Sequence, residues 1–394
     1  MTRDTTPDRT AHTARPPARR AASLSLRLTR LGFRYIGPHL RGTAGRLAYR
    51  LWFSTHRHPE PKRETQWLAE ARIDRLDWRN RHLTRYQWGA AAAPAVLLVH
   101  GWNGRGTQLG AFATSLTQAG LRAVTFDAPA HGRSPGSSTN ILDYAEAIRI
   151  VADASGPLVG AVAHSFGVPA SAWALRQGLA LPRLVSIAAP ADAEFLLDRF
   201  AATLQIPAVV LADMRRRVER KFGMDIFARL ATETILAGQN LPGLIVHDRS
   251  DREVPSDHAE RLHRAWPASQ LLFVDGLGHQ RLLRDPGVVA ATVAFLTDGD
   301  TGGVRQAKAT AAIMQPREEP RGSNSMKRYG IRGRLPPGDP MRAAHLLGED
   351  WEWTRWYESE AERDAAFADM HEQFRYYRRG DQPSQVLSKI ERDA

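Results

Sequence analysis

A chain of 394 residues, 43% of them hydrophobic, can bury one large core of about 250 residues and still leave material for flanking segments. It contains no cysteine, which excludes disulfide frameworks, thiolate metal sites and cysteine nucleophiles, and no uncharged apolar run reaches the ~18–20 residues of a membrane span. The formal charge of +12 is concentrated: residues 1–63 carry 14 Lys and Arg against 3 Asp and Glu, while the rest of the chain is close to balanced, so nucleic-acid binding is not expected of the folded part.

Residues 1–22 are rich in Pro, Arg, Ala and Thr without apolar periodicity and are expected to form a disordered basic arm. Residues 23–81 read as a helical extension. Within it Leu24, Leu26, Leu28, Leu31, Phe33 and Ile36, then Leu40, Leu47, Leu51, Trp52 and Phe53, sit among arginines as a basic amphipathic helix broken near Gly37 and Pro38. Its apolar face either packs on the next domain or makes a peripheral membrane contact. Arg27, Arg30 and Arg34 interrupt the leucine-rich stretch, so no signal peptide is expected, despite the Arg19-Arg20 pair, and the expected location is cytoplasmic.

From residue 82 the pattern changes. His82–Trp88 reads as a strand, and Ala95–Val99, Leu121–Phe126, Leu158–Ala163, Arg183–Ile187, Gly243–Val246 and Leu271–Val274 are short apolar runs, as strands covered on both faces require. Helical stretches alternate with them around residues 109–118, 141–154, 166–177, 257–265 and 288–296. The expected class is α/β, a doubly wound and mostly parallel sheet over residues 82–297. Residues 298–325 read as a linker, and residues 326–394 as a small α+β unit with strands near 326–335, 351–357 and 374–377 and a helix at 360–373. Its aromatics are expected to form its own core.

Groups that carry chemistry in such sheets collect at the carboxyl ends of the strands. His100-Gly101-Trp102 follows one strand, and Asp127-Ala-Pro-Ala-His131-Gly132-Arg133-Ser134 follows the next. Ala163-His164-Ser165-Phe166-Gly167 stands between a strand and a helix. Two carboxylates, Asp248 and Asp251, precede Val254-Pro255, and Asp275-Gly-Leu-Gly278-His279 closes the series. His258 and His263 are set aside as residues of a surface helix.

In this order the motifs resemble those of the α/β-hydrolase superfamily, serine hydrolases of esterase or lipase type. The resemblance implies that Ser165 is a nucleophile on a strained turn, with Ala163 replacing the usual first glycine, and that His279 is its base. The D-x-x-V-P spacing points to Asp251 as the acid, with Asp248 as the alternative. Backbone N–H groups of Trp102 and Phe166 are the implied oxyanion hole. Residues about 190–241 resemble a helical cap. The implied activity is cleavage of a small-molecule carboxylic ester or thioester through an acyl-enzyme, with no cofactor and no metal. A non-catalytic or membrane-associated binding protein on the same scaffold, or an acyltransferase, stays open beside it.

Overall fold

Consecutive apolar residues become strands here because both faces of the sheet are covered. The computed structural model describes residues 24–297, 327–334, 337, 352–357, 359–371 and 386–393; the expected arm at 1–22, the linker at 298–325 and the expected strand at 374–377 lie outside them. The described residues 24–297 belong to one compact unit, and the described C-terminal residues from 327 onward to another.

The first unit is built on eight strands: β1 (Arg72–Trp78), β2 (Arg81–Trp88), β3 (Ala95–Val99), β4 (Arg122–Asp127), β5 (Leu158–His164), β6 (Leu184–Ile187), β7 (Gly243–Asp248) and β8 (Ser269–Val274). Their spatial order is β1-β2-β4-β3-β5-β6-β7-β8, antiparallel at β1/β2 and β2/β4 and parallel from β4 onward. Every residue of β3, β4, β6 and β7 is buried. Successive side chains leave opposite faces. Leu97 and Val99 therefore join Tyr144, Ile148 and Trp173 of the helices Ile141–Asp153 and Gly167–Arg176, whereas Val96 and Leu98 join Phe112, Leu116 and Val288 of Gly110–Gln118 and Pro286–Thr297.

The expectation of helix throughout residues 23–81 fails at its end, because Arg72–Trp78 is the edge strand β1. Arg72, Asp74, Arg75 and Asp77 hide the alternation, as charges on an edge strand do. Before it, the helix Leu24–Leu31 runs into a wider π turn at Gly32–Ile36, breaks at Gly37-Pro38 and restarts as Arg41–Phe53.

After β6 come four helices, Ala193–Leu204, Ala208–Phe222, Ile226–Arg229 and Thr232–Ala237, in the segment expected to form the cap, hereafter the cap. The N-terminal extension packs on it. Phe33 and Ala48 are buried among Leu197, Val210 and Met214, and a Cβ on Gly45 would meet the Asp213 side chain. Only small residues let these two helices approach so closely. One face of the extension thus packs on the domain, as one of the two open readings holds.

The second unit is a three-stranded antiparallel sheet. Lys327–Arg334 lies between Glu352–Tyr357 and Val386–Asp393, with the helix Glu360–His371 following the second strand. Ile331 is buried at its centre, and Gly330 leaves room for the Trp356 ring.

Candidate active site

Five strand ends and the loops after them supply the site. At the end of β5 the backbone turns so sharply that Ser165 adopts φ +52°, in the left-handed region that side chains rarely occupy. Two hydrogen bonds hold it there: Ser165 N–H donates to the Ile187 carbonyl at 2.8 Å, and Val168 N–H donates to the Ser165 carbonyl at 3.0 Å. Gly167 has no alternative, since a Cβ would stand 2.6 Å from the His100 carbonyl oxygen and 2.8 Å from that of Val99. The methyl of Ala163, by contrast, is accommodated within the core.

The loop after β3 lies against this turn. A Cβ on Gly101 would come within 3.1 Å of the Ser165 Cβ, so the main chain passes directly over the serine. The next residue, Trp102, sets its ring edge-on to Phe166 with centroids 4.9 Å apart. His100 anchors the loop from below. Its Nδ1–H donates to the Gly101 carbonyl at 2.7 Å, its Nε2 accepts from Ala128 N–H at 3.1 Å, and Tyr144 Oη donates to its carbonyl at 2.5 Å. Burial pushes its pKa well below the ordinary value, so it stays neutral and structural.

Asp127, at the end of β4, ties that loop to the next turn. Its carboxylate accepts from Gly106 N–H at 2.8 Å and from Arg133 N–H and Tyr86 Oη at 2.7 Å. Burial raises its pKa against the pull of these donors. Ser134 shapes the turn, donating to the Asp127 carbonyl at 2.6 Å and accepting from Thr84 N–H at 2.9 Å.

Asp251 and His279 are brought together: Nδ1–H of the ring donates to Oδ2 at 2.7 Å. The other oxygen of Asp251 accepts from Glu253 N–H at 2.8 Å and Val254 N–H at 3.1 Å, which fixes the direction of the carboxylate. Burial works to raise the Asp251 pKa, but the charge and hydrogen bond of His279 leave it lowered and the group ionised. Asp248 is turned elsewhere. It accepts from Ser250 N–H at 2.7 Å and from Leu277 N–H at 2.6 Å, bracing the loop that carries His279.

Ser165 is half-buried, and among the described residues its hydroxyl makes no hydrogen bond to His279. The two are linked through their neighbours. His164 Nε2–H donates to the His279 carbonyl at 3.0 Å, with ring centroids 4.8 Å apart, so the residue before the serine clips the histidine loop to the turn. Burial and the facing His279 drive the His164 pKa down to about 3, which keeps it neutral in this role.

Several participants were not visible in the sequence. Glu253 places Oε2 3.9 Å from His279 Nε2. Burial tends to lower the His279 pKa, yet the charges of Glu253 and Asp251 outweigh it and leave the value raised. His247 donates to the Val254 carbonyl at 2.9 Å and lies 3.8 Å from Asp251. The D-x-E-V-P string held the signal for Glu253, but nothing in spacing sets it apart from a solvated charge. His258 requires a correction: it is buried, accepts from Ala191 N–H at 3.1 Å and packs on Phe195, so it secures the entry to the cap from a helix that is not wholly on the surface. His263 meets Ser269 Oγ at 2.9 Å. Among the described residues, no group of three or more His, Asp or Glu side chains is arranged to hold a metal ion.

A profile described as the alpha/beta hydrolase family matches residues 96–292. A search of curated proteins returns no match. Solved structures similar to the chain include a thioesterase domain from the curacin biosynthetic pathway, with 18% identity, 57% of this chain and 99% of that chain covered, and a TM-score of 0.42. A putative lipase from Acinetobacter baumannii aligns at 18% identity over 60% of this chain and 93% of its own, with a TM-score of 0.46. Est1E from Butyrivibrio proteoclasticus, solved with ferulic acid bound, aligns at 16% identity over 57% and 96%, with a TM-score of 0.43.

Proposed function

The chain belongs to the α/β hydrolase family, and from that premise we propose that it is a serine hydrolase that cleaves a carboxylic ester or thioester of a small molecule through an acyl-enzyme. One observation carries the reading. Asp251 holds His279 Nδ1 at 2.7 Å, on a loop that His164 fastens to the strained turn of Ser165.

The chemistry follows from these positions. A serine hydroxyl is a weak nucleophile at neutral pH, so His279 Nε2 takes its proton as Oγ attacks the acyl carbon. Hydrogen bonds of this kind are often long before substrate binds and close in the complex. Negative charge then gathers on the former carbonyl oxygen, where the N–H groups of Trp102 and Phe166 receive it. One such donor contributes about 3–4 kcal/mol to lowering the barrier. Collapse of the tetrahedral intermediate breaks the ester or thioester bond, and the imidazolium returns its proton to the leaving oxygen or sulfur. Water, deprotonated by the same imidazole, releases the acid. Asp251 keeps the imidazole in the required tautomer and stabilises its charged form throughout.

The test is covalent labelling. An alkyl fluorophosphonate is expected to label the full chain and the Ser171→Ala variant, whose deleted hydroxyl only donates to the Gly167 carbonyl at 2.8 Å, but not Ser165→Ala. A parent protein that takes no label leaves the non-catalytic scaffold as the reading; label retained in Ser165→Ala assigns the nucleophile elsewhere.

A further inference from the structure

The face of the N-terminal extension turned away from the cap has no partner among the described residues. Arg30 and Phe33 face the cap; Arg30 donates to the Thr203 carbonyl at 2.8 Å and Phe33 is buried among cap residues. The opposite stripe follows the spacing i, i+4, i+7, i+11 and consists of Leu24, Leu28, Leu31 and Tyr35, which are 70%, 59%, 51% and 60% exposed. Ile36 and Leu40, on either side of the Gly37-Pro38 break, are also exposed, 58% and 55%. A run of large apolar groups held in water on one side of a helix marks a surface that something else covers.

The charge of the extension and of the helix it packs on points to the occupant. Residues 24–53 contain six arginines and no acidic residue. Where the helix Arg41–Phe53 crosses Ala208–Phe222, a shallow groove of about 480 Å³ is lined by Arg46, Tyr49, Arg50, Arg217, Arg220 and Lys221. Arg217 pairs with Asp213 at 2.7 Å. Arg46, Arg50 and Arg220 are exposed and have no carboxylate partner among the described residues. Arginine forks match phosphate oxygens, and leucine and tyrosine side chains suit the boundary between headgroups and acyl chains. A second copy of the chain fits poorly. Closing this face on itself about a two-fold axis would set arginines against arginines. Nucleic acid would satisfy the cations but not the leucines.

We infer that this face docks the protein on an anionic phospholipid bilayer, with the leucine stripe at the acyl boundary and the Arg46–Arg50–Arg220 cluster on headgroup phosphates. The inference does not depend on the hydrolase reading, because it concerns adsorption alone. Arginines near such a surface each strengthen binding about fivefold, and the attraction weakens as salt screens it.

The experiment measures co-sedimentation with vesicles, using full-length Ser165→Ala so that no lipid is turned over. Strong binding is expected to equimolar phosphatidylcholine and phosphatidylglycerol, weak binding to phosphatidylcholine alone, and release in about 1 M salt. Adding L28Q with L31Q is expected to weaken binding about tenfold through lost apolar insertion, and R46Q with R50Q about fivefold for each arginine. These side chains are exposed, so the thermal midpoint should not move; the arginine pair tests the same face should the leucine pair fold poorly. The inference is overturned by equal binding to both vesicle types, by variants that bind as tightly as the parent, by a concentration-dependent dimer that L28Q with L31Q dissolves, or by preference for duplex DNA over the mixed vesicles.

Discussion

His279 has a carboxylate near each of its ring nitrogens. Asp251 meets Nδ1 at 2.7 Å, and Glu253 Oε2 stands 3.9 Å from Nε2, the nitrogen that takes the serine proton in the proposed mechanism. The two partners differ in kind. Asp251 is buried and fixed by two backbone N–H groups, whereas the Glu253 side chain is half exposed and acts through its field. Burial alone would lower the His279 pKa, and the two negative charges reverse that effect and raise it above the ordinary value of 6.5. A base works only when neutral, so ester turnover should fall as pH drops through the raised value. Glu253→Gln removes one of the two charges that stabilise the imidazolium. The acid limb of kcat/KM should therefore move to lower pH, with the plateau kcat little changed. An acid limb that stays in place, or moves upward, would show that Glu253 does not act on His279.

The loop after β3 shows how elements are held in register around the site, and how far a sequence discloses it. Glu64, in a short turn before β1, is buried and grips Arg105 through two hydrogen bonds of 2.6 Å while accepting from Thr107 Oγ1 at 2.5 Å. It thus pins the segment that begins with Gly101 and Trp102 and ends in the helix Gly110–Gln118. Glu64→Gln removes the carboxylate charge from a buried guanidinium, and the expected loss is about 3–5 kcal/mol of stability, read from the shift of a urea unfolding midpoint. A shift near zero would mean that water reaches Arg105. Nothing in the sequence marks Glu64, because a buried ion pair between residues 64 and 105 leaves no local spacing. The parallel strands were legible for the opposite reason. Burial on both faces demands unbroken apolar runs such as Ala95–Val99, and those runs stand out from helices of period 3.6. The same logic hid β1, whose exposed edge carries charges at alternate and adjacent positions. The turn at Ser165 and the contact of Asp251 with His279 were legible through motifs that resemble those of the family, in which small residues flank the tight turns. His164, His247 and Glu253 were not, since each acts across the fold through a backbone carbonyl or through space.

At the scale of the molecule, the extension is both a structural part of the cap and the bearer of an uncovered surface. Two truncations separate these roles. If residues 1–22 form the disordered arm that their composition predicts, their removal should leave turnover of a water-soluble ester and the thermal midpoint unchanged. Removing residues 1–53 takes away Phe33 and Ala48 from the cluster they share with Leu197, Val210 and Met214, and exposes the helix Ala208–Phe222 along the face on which Arg41–Phe53 lay. Loss of one buried phenylalanine side chain costs about 3–5 kcal/mol, a large part of the ~5–15 kcal/mol that holds a domain folded. The longer truncation should therefore lower the thermal midpoint sharply or leave the cap partly open, with weakened turnover. The sheet core, whose helices lie on other elements, should keep its far-ultraviolet circular dichroism. If the chain lacking residues 1–53 melts and turns over like the parent, the extension is an appendage and its apolar inner face contributes nothing to the cap.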